Sequence, residues 1–230
     1  STIWDSNLRR SEFQAERVER LAIMGEGVEF SLPEAAHGLS YACLSLPTRD
    51  PAALVQHLQT RMRQVEGELS KALAADGFFV VSDGPIQPLA PHQVIGYIKR
   101  QMAPYLPPEL TPVVGALQRA ERTPLFCFGA RYPRYSWYIR LTALNGGHAW
   151  SGVARCECTA TLPLAQVQEM ANMTASLLPR FASSAHIDPR APQNLVPIGA
   201  LEKHLRRLLG DASLVHRALR SSMASLESSI

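Results

Sequence analysis

No apolar run in this sequence approaches the roughly 20 residues needed to span a bilayer, so no helical membrane anchor is expected. The opening stretch STIWDSNLRR mixes polar and charged residues and does not read as a signal peptide. Charge is sparse: Asp, Glu, Lys and Arg make up 19% of the chain, and the net charge is +3. That balance permits a nucleic-acid partner without requiring one. Cysteine is limited to Cys43, Cys127, Cys156 and Cys158, all in apolar, strand-like surroundings. Cys156-x-Cys158 puts two thiols on one face of a strand, yet no second paired-cysteine motif completes a zinc site. Core cysteines in a reducing compartment are expected, which points to the cytoplasm. Internal repeats and low-complexity segments are also lacking.

What is present is enough for a sizeable core. The chain has 230 residues, 46% of them hydrophobic, consistent with one large domain spanning 1–230. Its 17 prolines punctuate the loops. Short strands are expected at 2–6, at 12–24 with an irregularity (a helix also fits there), and at 39–46. The strongest helix is 52–75, where Leu54, Leu58, Met62, Val65, Leu69 and Leu73 recur at helical spacing behind Asp50-Pro51. A strand at 78–82 ends on Asp83. Helices are expected at 92–103 and 107–118. Long strands follow at 124–143, interrupted near Pro133, and at 149–160, with Asn145-Gly146-Gly147 as the hairpin turn between them. The tail reads as helical over 163–178, 197–209 and 211–225.

Three strands, a long helix and a fourth strand suggest an antiparallel meander followed by a crossover. The crossover can return the fourth strand parallel to the first. The expected fold class is thus α/β, with a ribonuclease H-like mixed sheet flanked by helices over 1–160 and a mainly helical part over 161–230. It is one layout among several that this order allows.

In that layout Asp5 and Asp83 end neighbouring strands at one rim. The crossover helix offers Glu66 and Glu68. Glu66 falls four residues after Met62 and three before Leu69, bordering the apolar face, whereas Glu68 falls on the polar side. Three carboxylates at one rim are hard oxygen ligands suited to Mg²⁺ or Mn²⁺. Two such ions can activate water and stabilise a leaving oxygen in phosphodiester hydrolysis. Taken singly, each acid also has an ordinary reading as a turn, helix-surface or terminal residue. The basic residues gather late: Arg131, Arg134 and Arg140, then Lys203, Arg206 and Arg207, then Arg217 and Arg220. Such a run is either a phosphate footprint or a solvated face.

VVSDGPI followed by VIGYIKRQ resembles the NurA nuclease family, with an acid-Gly element on a strand and a downstream Gly-x-x-Lys. RQVEGELSKAL is similar to that family's helix bearing a catalytic Glu. RYSWYIRL and DPRAPQNLVPI…LEKHLRR resemble later parts of bacterial members, so the likeness covers roughly 3–210. The resemblance implies a ribonuclease H-like deoxyribonuclease using Mn²⁺ or Mg²⁺. It implies 5′–3′ exonuclease and single-strand endonuclease action, and a homodimer that works with a HerA-type hexameric ATPase in DNA end resection.

Carried over by position, Asp83 matches the strand Asp and Glu66 the helix Glu. Asp5 stands where the family has Asp-Gly-Ser, but this chain reads Asp5-Ser6-Asn7. That departure opens an alternative, a degenerate module that binds DNA or an ATPase ring without cutting. Lys99 could meet the scissile phosphate. Tyr138 or Trp137 could stack on a base, although core packing suits either ring. In the late segment His186 could serve as an acid/base or ligand, with Asp188, Glu202 and His204 as alternatives. Arg190 is a nucleic-acid contact candidate.

Overall fold

A computed structural model describes residues 1–5, 10–13, 17–27, 41–88, 90, 93–100, 105–143, 148–183, 193–217 and 220 of the chain. The chain groups into two compact units, residues 1–65 with 200–230, and residues 66–199.

In the first unit, β1 (Thr2–Asp5) pairs antiparallel with β2 (Arg10–Phe13). β3 (Leu21–Met24) pairs parallel with β4 (Ala42–Ser45). The expected three-strand meander is therefore not formed among the described residues; two separate pairs take its place. Charged residues within 17–24 have their own partners. Glu19 is gripped by Arg61 at 2.8 Å and by Arg17, while Arg20 donates to the Leu208 carbonyl. Antiparallel neighbours can be joined by a tight hairpin, as β1 and β2 are, whereas β3 takes β4 in a parallel pair and so lies outside that hairpin.

Helix α1 (Pro51–Ala75) falls where the sequence places it. Asp50 caps it, with its carboxylate accepting the Ala52 N–H at 3.0 Å. The helix runs from the first unit into the second. Gly77, at φ +86, turns the chain out of the helix toward the next strand. α4 (Val196–Leu208) likewise spans the division.

The second unit is an α/β body built on a mixed five-stranded sheet. β5 (Val80–Asp83) is an edge strand, parallel to β6 (Val94–Ile98). β6 is antiparallel to β9 (Val153–Thr159). β9 pairs antiparallel with β8 (Arg134–Arg140), and β8 with β7 (Phe126–Phe128). The short helix α2 (Thr111–Ala116) precedes β7, and α3 (Leu164–Leu177) follows β9.

β6 corrects the sequence reading, which expects a helix over 92–103. Its residues Val94, Ile95, Tyr97 and Ile98 are β-branched or aromatic, and all five residues are buried. A central strand buried on both faces reads as a continuous apolar run, which periodicity cannot separate from a buried helix. Gly96 fits the strand for a packing reason. A Cβ there would stand 2.8 Å from the Gly84 carbonyl oxygen and 2.8 Å from the Ile86 nitrogen.

The two faces of the sheet differ in chemistry. One face carries Ile95, Tyr97, Trp137, Ile139, Cys156 and Cys158 against α3, forming the main core. Trp137 Nε1–H donates to Thr174 Oγ1 on α3 at 3.0 Å. The other face holds Val94 with Ala74 of α1 and Ile86, and Tyr138 with Val114 of α2. Between those apolar patches runs a polar strip of Ser136, Arg155 and Glu157, all buried. The Asn145-Gly146-Gly147 turn lies outside the described residues.

Candidate functional site

Because β5 and β6 are parallel, their C-terminal ends share one rim. Asp83 closes β5, and Lys99 directly follows β6. Lys99 Nζ donates to Asp83 Oδ2 at 2.8 Å. Asp83 is the more open partner, its side chain 42% exposed against 20% for Lys99. Asp83 is in register with Tyr97, on the face that meets α3. Burial, with smaller contributions from Cys156 and Asp83, pushes the Tyr97 phenol far above its ordinary value. It therefore stays protonated and donates to the Gln193 carbonyl at 2.6 Å.

That last bond matters for the late segment. Gln193 and Asn194 follow directly on the stretch that contains His186, Asp188 and Arg190, which lie outside the described residues. The two flanks of that stretch are joined: Ser183 N–H donates to the Asn194 carbonyl, and Val196 N–H to the Phe181 carbonyl. The base of the late segment thus sits beside Tyr97, the neighbour of Asp83.

Gly84, at φ +97, accommodates a sharp turn that no residue with a Cβ adopts readily. The chain then folds back over the polar strip. Ile86 N–H donates to Glu157 Oε1 at 3.1 Å. Arg134 Nη1–H reaches the same oxygen at 2.6 Å, and Arg155 Nη1–H donates to Glu157 Oε2 at 2.8 Å. Arg155 also lies over the rings of Tyr105, at 4.1 Å, and Phe128, at 5.2 Å. Sequence reasoning missed this cluster. The available signal was alternation: Arg155 and Glu157 share one face of β9, as Arg134, Ser136 and Tyr138 share one face of β8.

The other named residues are distributed as follows. Asp5 ends β1 in the first unit, and its side chain is outside the description. Glu66 and Glu68 are both exposed, so the expected distinction, with Glu66 bordering the buried face, is not realised. The helix turns Met62 outward too, and the apolar border that the spacing implies is absent at that level. Trp137 and Tyr138 are both buried. Tyr138 is enclosed by Phe126, at 5.6 Å, and Trp150, at 5.3 Å, and its ring faces are not open to a base. Glu202 is exposed and His204 half-buried on α4. Arg140, expected in a basic footprint, is buried. It donates to the carbonyls of Ser151, Ala149 and Gly115, the last near the C-terminal end of α2.

All four cysteines are free. Burial pushes the Cys156 thiol up strongly and Cys158 to about 12, so both remain unreactive thiols in the core. Among the described residues, no three His, Cys, Asp or Glu side chains come together in a way that could hold a metal. Of the donors expected for Mn²⁺ or Mg²⁺, Asp83 is in position at the rim, and its close partner is a lysine. The described residues alone therefore do not make a complete set of metal ligands. No helix among the described residues is long and apolar enough to cross a membrane. Compared with known proteins, the chain matches no protein-family model and no curated protein.

Proposed function

We propose that this chain is a metal-dependent DNA nuclease of the NurA kind, with a ribonuclease H-like core. In this reading it hydrolyses phosphodiester bonds at DNA ends during repair, in the cytoplasm. It uses Mn²⁺ or Mg²⁺, and it works as a homodimer beside a HerA-type ATPase. One observation carries the reading: Asp83, Lys99 and the base of the late segment gather at one rim, although Tyr97 and Gln193 are 96 residues apart in sequence. These belong to the motifs on which the resemblance rests. A bound divalent ion would supply a Lewis acid and an activated water.

The chain's own contribution is positioning. The rigid end of β5 presents the Asp83 carboxylate as a hard oxygen donor. Lys99 orients that carboxylate and, as a mobile point charge on a flexible stem, can move to a phosphate oxygen. Gly84 turns the backbone away from the rim and leaves it open to a strand.

The test is Asp83→Asn. Mn²⁺-dependent degradation of linear DNA is expected to vanish while the circular dichroism spectrum stays unchanged. Full activity in that variant overturns the assignment. A second reading, a nuclease-like module that binds DNA or an ATPase ring without cleavage, is favoured by the Asp83–Lys99 pair. There an ammonium occupies the oxygen that a metal would take. Titration of the wild-type chain with Mn²⁺ separates the two, because the non-cutting module binds no ion at this rim.

A further inference from the structure

The opposite end of the sheet holds a different kind of site. Arg134 begins β8 and Thr159 ends β9, and the two are in register. Beside them opens a cleft of about 390 Å³, lined by Arg131, Tyr132, Arg134, Thr159 and Thr161 and by the 86–88 turn. That volume is in the range of small-ligand pockets. Among the described residues, none of its lining side chains is acidic.

The charge balance beneath the cleft is uneven. Two guanidinium groups, Arg134 and Arg155, share the single carboxylate of Glu157. Both Glu157 oxygens are already engaged, one of them twice. Arg155 is enclosed against aromatic rings, with 4% of its side chain exposed, whereas Arg134 is 20% exposed at the cleft. The surplus positive charge therefore faces outward through Arg134, and Arg131 adds a second cation.

The cleft is also built rather than loose. Gly129 has φ +94, and a Cβ there would stand 2.8 Å from the Tyr132 carbonyl oxygen, so the turn bearing Arg131 and Tyr132 is tight. Ala160 N–H donates to the Pro133 carbonyl at 3.0 Å, tying the start of β8 to the end of β9. Thr159 and Thr161 hydroxyls stand 3.0 Å apart. Tyr132 is 40% exposed, with the Arg131 guanidinium 5.4 Å from its ring centroid.

We propose that this cleft binds the phosphate group of a nucleotide, either free or within single-stranded DNA. The fork of a guanidinium matches phosphate oxygens, and the threonine hydroxyls can add donors. The open Tyr132 ring offers a face on which a base can stack. The inference rests on the charge and shape of the cleft and does not require the nuclease reading.

The test uses the full chain with two probes. Thymidine 5′-monophosphate is followed by calorimetry, and a fluorescein-labelled oligothymidylate by anisotropy. Arg131→Glu changes an exposed residue and leaves Glu157 paired, so folding is not at stake. It is expected to weaken binding about tenfold or more, the size of one lost charge-assisted contact. Lys203→Glu, an equal charge change on α4, is the control and is expected to leave binding nearly unchanged. Loss confined to the mononucleotide identifies a free ligand, and loss confined to the oligonucleotide identifies a strand subsite. If the wild type binds neither probe, or if both variants weaken binding equally, the proposal is overturned. The Asp83→Asn cleavage assay reads the nuclease assignment separately.

Discussion

Two carboxylates on the same sheet live in opposite circumstances. Asp83 sits at an open rim and meets one cation, Lys99, at 2.8 Å. Glu157 is fully buried under the 84–88 turn and meets two guanidinium groups and a backbone N–H. In water an ion pair is weak, because solvent stabilises the separated charges almost as well. In the interior the same charges have no alternative partner, and removing one leaves the others unsatisfied. The contrast shows why Glu157 is a structural linchpin between β8, β9 and the returning loop. It also shows why the Asp83 carboxylate stays accessible: its geometry is held by strand β5, and its partner can leave at little cost.

The sharpest way to break that contrast is Glu157→Gln. It leaves Arg134 and Arg155 without their shared anion and is expected to cost about 3–5 kcal/mol of stability in urea denaturation. A midpoint close to wild type would mean that the cluster is not structural. Next is Gly96→Ala, which pushes a methyl group against the Gly84 carbonyl and the Ile86 nitrogen. The expected cost is about 1–3 kcal/mol, as for other overpacked cores. It tests whether the turn over Glu157 is held as closely as the 2.8 Å approaches indicate.

At the open rim the effects on stability should be small. A double-mutant cycle with Asp83→Asn and Lys99→Met is expected to give a coupling of about 0.2–1 kcal/mol. A coupling as large as that at Glu157 would erase the distinction between the two sites. The mildest probe leaves the protein unmutated. Cys43 and Cys127 are exposed while Cys156 and Cys158 are buried. Ellman's reagent should therefore titrate two thiols in the native chain and four after denaturation. Prompt reaction of all four would show that the main core on the α3 face is open.

Several elements were legible because their signal is local. The α1 stripe and its Asp50 cap lie within one stretch of chain, as does the alternation in RYSWYIR and VARCECT. Asp83 at the end of an apolar strand was readable for the same reason. Other features were not, and each failure has a cause. VIGYI satisfies both helix and strand periodicity, and only its position between β5 and β9 makes it a strand. The 12–24 segment reads as one strand with an irregularity, or as a helix, and only the pairing of β2 with β1 and of β3 with β4 assigns its two ends to different sheets. Lys99 was placed on a helix, yet it is the end of β6 that brings it to Asp83.

Taken by itself, the sequence determined helix α1 with its Asp50 cap, strands β8 and β9, and the acid that ends β5, since these depend on neighbours a few residues apart. The tertiary structure alone decided which strands pair, that Glu157 is buried among cations, and that the two rims carry different charge. Those outcomes depend on which surfaces meet, and the free energy of a charge is set by how much water the meeting surfaces leave around it.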